Sequence, residues 1–271
     1  MSVSLPERRE PGMPDDLRRA IERGEMSVLY QPQLFLETGR AAGAEALVRW
    51  EHPERGPIPP ERFIPLAEES GEILDLGRWV LERACEQAAL WQRELPGSGL
   101  KVGVNVSVLQ LEHPGFPGAL AGVLRSTGAA PEGIVLEITE SSLLEHESRV
   151  AEALWRIRRS GVMLAVDDFG TGYSSLSYLD RFPVDYIKVD RSLVRRIETN
   201  GERTVSLLEA LVVFAHSLKM RVVAEGVETP GQLETLRGIR CDIGQGVLFS
   251  GPLPAAGAGA FLAEHLPGDP P

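Results

Sequence analysis

The chain has only two cysteines in 271 residues, Cys85 and Cys241, far apart and in no Cys-x-x-Cys pairing. That scarcity argues against a disulfide scaffold or a zinc knuckle, points to a reducing compartment, and leaves both thiols as small buried hydrophobes. A basic excess is missing too. The formal net charge is −11, which argues against binding to duplex DNA or to an anionic membrane. An anionic small substrate stays open, provided metal ions reverse the local field. No apolar run approaches the roughly 18 to 20 residues that cross a bilayer. Met1 to Pro14 is polar and proline-containing rather than signal-like. The expectation is a cytoplasmic chain, or the soluble portion of something larger, with no direct membrane insertion. No Gly-x-Gly-x-x-Gly turn follows an early strand, which counts against a doubly wound open sheet.

What is present is an alternation of short apolar runs with helical patterns. Strands are expected at Met26 to Gln33, Ala42 to Trp50, Val102 to Ser107, Gly133 to Ile138, Val162 to Val166, Val184 to Val189, Val222 to Ala224 and Cys241 to Gln245. Helical spacing marks Asp15 to Arg23, Pro60 to Ser70, Ile73 to Glu94, Gly118 to Ser126, Glu145 to Ser160, Glu202 to Leu218, Thr229 to Arg237 and Ala255 to His265. A count of about eight strands with helices between most of them is the signature of an α/β barrel of the TIM, (β/α)₈, type. Too little chain separates Gln33 from Ala42 for a crossover helix, so the first two strands should be antiparallel neighbours. Residues 1–14 read as a linker, 15–267 as one barrel domain and 268–271 as a frayed tail.

In such a barrel, chemistry belongs at the carboxyl ends of the strands. Polar residues fall there strand after strand: Glu45, Asn105, Glu137, the adjacent pair Asp167 and Asp168, Lys188 with Asp190, Glu225 with Glu228, and Gln245. Buried carboxylates at this density are tolerable only when paired or bound to metal. The five histidines fall outside the set, and His216, in an apolar helix, reads as a satisfied core residue. Oxygen donors without imidazole or thiolate favour Mg²⁺ or Mn²⁺ over Zn²⁺. Gly170 and Gly172, directly after the Asp pair, suit a tight and mobile loop.

Glu45-Ala46-Leu47 followed by Arg49-Trp50 resembles the signature of the EAL domains, phosphodiesterases of cyclic di-GMP. The resemblance runs from Tyr30-Gln31-Pro32 to Gln245-Gly246 through Phe63 to Glu68, Asn105-Val106-Ser107, Glu137-Ile138-Thr139-Glu140, Asp167-Asp168-Phe169-Gly170, Ile187 to Asp190 and Ala224 to Thr229. It implies a modified TIM barrel whose first strand runs against the others. It also implies metal ligands at Glu45, Asn105, Glu137 and Asp167, with Asp168 holding a second ion or its water and Asp190 nearby. Lys188 would orient or activate the attacking water, Glu225 would be a further site carboxylate proposed as general base, and Gln245 would order the water network. Arg49 would hold a phosphate oxygen, Leu47 would join it in substrate binding, and Gln33 would contact the nucleotide. Glu140 and Glu228 would anchor loops, the former bracing Phe169 to Ser174. The implied cofactors are Mg²⁺ or Mn²⁺, in two copies, with Ca²⁺ inhibitory. The implied assembly is a homodimer formed through the region after Asp-Asp-Phe-Gly.

The chemistry fits these residue types. Hydrolysis of a phosphodiester needs an activated water, charge stabilisation at phosphorus and in-line geometry, which two divalent ions about 3.5 to 4 Å apart can supply. Local roles remain open for several residues: Lys188 as an interior partner of Asp190, Arg49 as a surface guanidinium, Glu228 as a helix N-terminal acid before Thr229, and Glu140 in a surface turn. Val247 stands where many family members have an aromatic residue, and Leu193 where phenylalanine is frequent. Two functional classes follow, a phosphodiesterase releasing linear pGpG and a catalytically silent cyclic di-GMP receptor or interaction module. A barrel glycosidase accounts less well for Lys188 and Asn105. No Gly-Gly-Asp-Glu-Phe cyclase block is present, so sensor or cyclase partners would lie in a longer parent chain.

Overall fold

The computed structural model describes residues 13–170, 179 and 181–266. Strands β1 (Met26–Phe35) and β2 (Ala41–His52) form a long antiparallel hairpin in which Gln31 faces Glu45 and Leu29 faces Leu47. Beyond a short edge strand, β3 (Gly56–Ile58), come β4 (Lys101–Asn105), β5 (Ile134–Thr139), β6 (Met163–Phe169), β7 (Tyr186–Val189), β8 (Arg221–Ala224) and β9 (Ile243–Gln245). The sheet order is β1-β9-β8-β7-β6-β5-β4-β2-β3, and the β1–β2 pairing closes it into a barrel. β1 is antiparallel to both its neighbours, whereas β2 and β4 through β9 run parallel. The expected fold and its reversed first strand are therefore both present.

The outer helices are α1 (Met13–Ala20), α2 (Pro60–Ser70), α3 (Ile73–Glu94), α4 (Val108–Glu112), α5 (Phe116–Thr127), α6 (Glu140–Glu145), α7 (Glu147–Arg159), α8 (Arg191–Thr199), α9 (Gly201–Ser217), α10 (Pro230–Gly238) and α11 (Ala255–Glu264). None of the described helices is long and apolar enough to cross a membrane. α3 shows why the spacing was readable: Ile73, Leu76, Val80, Leu81, Ala84, Ala88 and Trp91 are buried on one stripe against the barrel. Inside the barrel a separate layer of Ala42, Val135, Ala165, Tyr186, Val223 and Ile243 occupies the amino half around a small cavity of about 40 Å³.

Several local expectations change. α1 begins at Met13 and ends at Ala20, earlier than Asp15 to Arg23. The expected Val102 to Ser107 strand stops at Asn105, because Ser107 caps α4 in a reciprocal box with Gln110. The expected Glu145 to Ser160 helix is α7, beginning at Glu147, and a separate α6 precedes it; His146 stands between the two, and its ring meets Glu112 at 2.6 Å. α8 was not foreseen, although Asp190 accepts from the Ser192 amide at its start and Leu193, Val194 and Ile197 give it a buried stripe. His216 is a corrected assignment: it is exposed and paired with Asp242 at 2.9 Å rather than in the core. Both cysteines are free and buried, and burial pushes each thiol up to about 12.

Candidate active site

The site is built where the parallel strands end. Period-two alternation turns Glu45, Glu137, Asp167 and Lys188 into the barrel mouth, and the registers Glu45 against Gly103 and Asn105 against Glu137 bring their levels together. Lys188, 1% exposed, is the centre of the cluster. Its Nζ donates to Glu137 Oε2 at 2.5 Å and Asp167 Oδ2 at 3.0 Å, and lies 2.8 Å from Glu225 Oε1 and 3.3 Å from Glu45 Oε2. The alternative pairing of Lys188 with Asp190 is not what forms, since Asp190 turns away to cap α8.

Glu45 is held from two sides. Asn105 Nδ2 donates to its Oε1 at 2.7 Å and Gln245 Nε2 to its Oε2 at 2.8 Å. Gln245 in turn donates to Gln31 Oε1 at 3.0 Å and accepts from Gln33 Nε2 at 2.7 Å. Gln33 is thus buried beside Gln245, where it braces the side chain that holds Glu45, and it does not line the cleft above. The antiparallel register of β1, which faces Gln33 with Gln245, puts it there. Gln31 belongs to the same amide chain and was not singled out from sequence.

Gly103 was missed as well. A Cβ there would lie 2.1 Å from Glu137 Oε1, so the glycine makes the room in which that carboxylate sits. A glycine interrupting the valines of β4 was the available signal. At the end of β6, Asp167 and Asp168 lie inside the strand rather than beyond it, at a bulge between Val166 and Phe169. Asp168 takes φ 56°, a left-handed conformation that aspartate tolerates better than bulkier residues, and its amide donates to Asp167 Oδ1 at 2.8 Å. The turn re-aims the second carboxylate toward the mouth. Glu140, 3% exposed, is buried rather than in a surface turn and accepts from the Gly170 amide at 3.3 Å, the start of the loop it was expected to brace. Residues 171–178 of that loop, and the dimer contact assigned to it, lie outside the described residues. Glu228 stands apart from the cluster, joined to Arg195 of α8, with its amide donating to Gln232 in the N-terminal turn of α10.

Charge is out of balance here. Burial raises the Glu137 carboxyl well above the usual range, with Lys188 opposing and Glu45 and Asp167 adding to the rise. Burial likewise takes Glu225 to about 8, against the pull of Lys188. For Glu45 the burial penalty is outweighed by Lys188 and by the bonds from Gln245 and Asn105, and its carboxyl is lowered. Burial and the neighbouring Asp167 and Asp190 raise Asp168. Burial opposes the charge of Lys188, but the surrounding carboxylates prevail and raise it well above the ordinary lysine value. One ammonium does not satisfy five carboxylates. Two overlapping sets of acidic oxygens lie close enough to share an ion each, Glu45, Glu137 and Asp167 in one and Asp167, Asp168 and Glu225 in the other. An all-oxygen donor set with surplus negative charge fits a hard divalent cation.

Above this floor opens a cleft of about 440 Å³ between α2, α3 and the ends of β2, β4 and β5. Leu47 and Arg49 stand on its wall, with Asn105, Glu137 and Asp168 at its base. Arg49 Nη1 donates to the Val48 carbonyl at 2.8 Å, which orients the half-buried guanidinium. Ser107 and Glu68, joined at 2.6 Å, close the far side and were not assigned from sequence.

The family model described as EAL domain matches residues 14–252. The chain belongs to the EAL-domain family. This EAL domain is 43% identical over 254 residues to the oxygen sensor protein DosP of Escherichia coli (strain K12), covering 93% of this chain and 31% of that protein. It is 42% identical over 254 residues to the cyclic di-GMP phosphodiesterase NbdA of Pseudomonas aeruginosa, covering 93% of this chain and 32% of the relative. The chain therefore spans about a third of the length of these curated relatives. Among solved structures, the PaMucR phosphodiesterase in complex with c-di-GMP superposes with a TM-score of 0.85 at 38% identity, covering 90% of this chain and 98% of that one. The buried acidic cluster is consistent with the metal site of EAL enzymes.

Proposed function

We propose that this EAL domain is a divalent-metal-dependent phosphodiesterase that opens cyclic di-GMP to linear pGpG. The observation that carries this reading is Asp167, which belongs to both acidic sets below the cleft and would hold an ion in either. Glu45, Asn105, Glu137 and Asp167 would hold one Mg²⁺ or Mn²⁺, and Asp167, Asp168 and Glu225 the other. Bound there, the ions would polarise the phosphate and acidify the attacking water.

The chain's own groups do the rest. Lys188, fixed by four carboxylates, holds a positive charge at the floor where negative charge builds on phosphorus. Glu225, half-exposed at the edge of the cluster and 2.8 Å from Lys188 Nζ, would take the proton of the attacking water. Arg49 offers its guanidinium to a non-bridging phosphate oxygen, and Leu47 supplies apolar wall for a guanine base. Sensor or cyclase domains in a longer parent, and pairing into a homodimer, complete the proposal.

Incubating the purified chain with cyclic di-GMP and Mg²⁺ tests it. pGpG should accumulate, and Ca²⁺ in place of Mg²⁺ should abolish turnover because its longer, looser coordination spoils the in-line geometry. Tight cyclic di-GMP binding with no product would make the domain a receptor instead.

A further inference from the structure

A second cavity, about 940 Å³, lies at the opposite, amino-terminal end of the barrel. Four guanidinium groups line it, from Arg40 in the β1–β2 turn, Arg221 at the start of β8, and Arg237 and Arg240 at the end of α10. The helix dipole accounts for cations at the end of α10. It does not account for Arg40, which leaves a turn between strands, or for Arg221, which opens one.

Two of the four are held in place from the protein side. Arg237 Nε donates to the Leu36 carbonyl at 2.6 Å, which orients its fork, and Arg221 lies over the Phe35 ring with its Cζ 5.7 Å from the centroid. Among the described residues none of the four forms an ion pair with a carboxylate, although the chain carries an acidic excess of 11 charges. The two carboxylates on the wall are Glu37 and Asp242, and Asp242 Oδ2 is already engaged by His216 Nε2 at 2.9 Å and by the Val222 amide at 2.8 Å. Cations gathered from three separate elements, four against the two carboxylates of the wall, make a cradle for a polyanion.

We propose that this bowl is a second binding site, for a small molecule bearing a diphosphate group. Planar guanidiniums grip phosphate oxygens in pairs, and the volume admits a ligand of nucleotide size. The layer of Ala42, Val135, Ala165, Tyr186, Val223 and Ile243 lies between the bowl and the carboxylate floor, and the cavity left within it, about 40 Å³, is too small to pass a diphosphate.

The test uses pyrophosphate as the probe, titrated by calorimetry into the chain freed of divalent metal, so that the carboxylate end repels the ligand. Saturable binding is expected, weakening steeply with added salt and at least about tenfold tighter than inorganic phosphate, because several guanidiniums share one ligand. Arg40→Glu with Arg240→Glu should weaken it by more than about tenfold, and the milder Arg40→Gln by about threefold, without lowering the melting temperature of the ligand-free protein. Glu45→Gln, at the other end, should leave pyrophosphate affinity unchanged. Absence of saturable binding, or equal affinity in the wild type and the double variant, overturns the proposal.

Discussion

At the carboxyl end of the barrel four carboxylates converge on one buried ammonium, whereas at the amino end four exposed guanidiniums share a bowl open to water. The two ends differ in how their charge is tolerated. Solvent and salt screen the arginines at little cost, so their arrangement weighs lightly on stability. The upper cluster is dry enough that each charge must find a specific partner, and the carboxyls of Glu137 and Glu225 rise because burial and their acidic neighbours outweigh the one ammonium they share. The upper end should therefore answer strongly to substitution, pH and metal, and the lower end weakly.

The largest effect that sharpens this contrast is Glu45→Ala. Losing this carboxylate leaves Asn105 and Gln245 without their shared acceptor, and pGpG formation with Mg²⁺ should fall by about a thousandfold or more, measured by chromatography of the nucleotides. A near-normal rate would break the assignment of the cluster. Next comes Lys188→Met. Removing the only ammonium leaves buried carboxylates facing one another, and denaturant unfolding of the metal-free chain should show a loss of about 3 to 5 kcal/mol, partly restored by Mg²⁺. Gly103→Ala should weaken Mg²⁺ affinity by about 10- to 100-fold by pushing Glu137 aside, with the fold retained by circular dichroism.

The pH response has a definite sign. Glu225 is raised from 4.5 to about 8 in the folded, metal-free chain, so its protonated form favours folding below about 4.5, and that contribution is lost as pH rises through 8. Metal-free protein should therefore lose stability between about pH 5 and 9. Over the same window Mg²⁺ affinity should climb as the proton ceases to compete, read out by melting temperature with and without metal. The smallest effect belongs to the lower end. Lys219, between α9 and β8, takes φ 63°, and Lys219→Gly should relieve the left-handed strain, stabilise the chain by at most about 1 kcal/mol, and leave turnover unchanged. A drop in turnover there would show that the two ends are coupled.

Much of the architecture is legible in the amino-acid sequence. The short stretch between Gln33 and Ala42 forced an antiparallel hairpin, and the recurrence of Glu45, Asn105, Glu137, Asp167, Lys188 and Glu225 at strand ends placed them at one mouth. Each of these follows from local rules: loop length, side-chain alternation and the end of an apolar run. α8 and α4 were hidden because their capping residues, Asp190 and Ser107, were read as parts of site motifs, and a capping oxygen and a ligand oxygen look the same in sequence.

Partner choice is what only the tertiary structure decided. Lys188 had Asp190 two residues away as an apparent partner, yet it binds carboxylates from four other strands, because neighbouring positions in a strand and cap diverge while register aligns distant ones. Gln33 became a brace for Glu45 through Gln245, a contact 212 residues apart set by the closure of β1 on β9. The four arginines of the amino-terminal bowl share no sequence pattern; barrel closure alone collects them. Sequence determined which residue types stand at the strand ends, since strand alternation is local, and closure determined which of them meet, since that depends on strand order and register across the whole sheet.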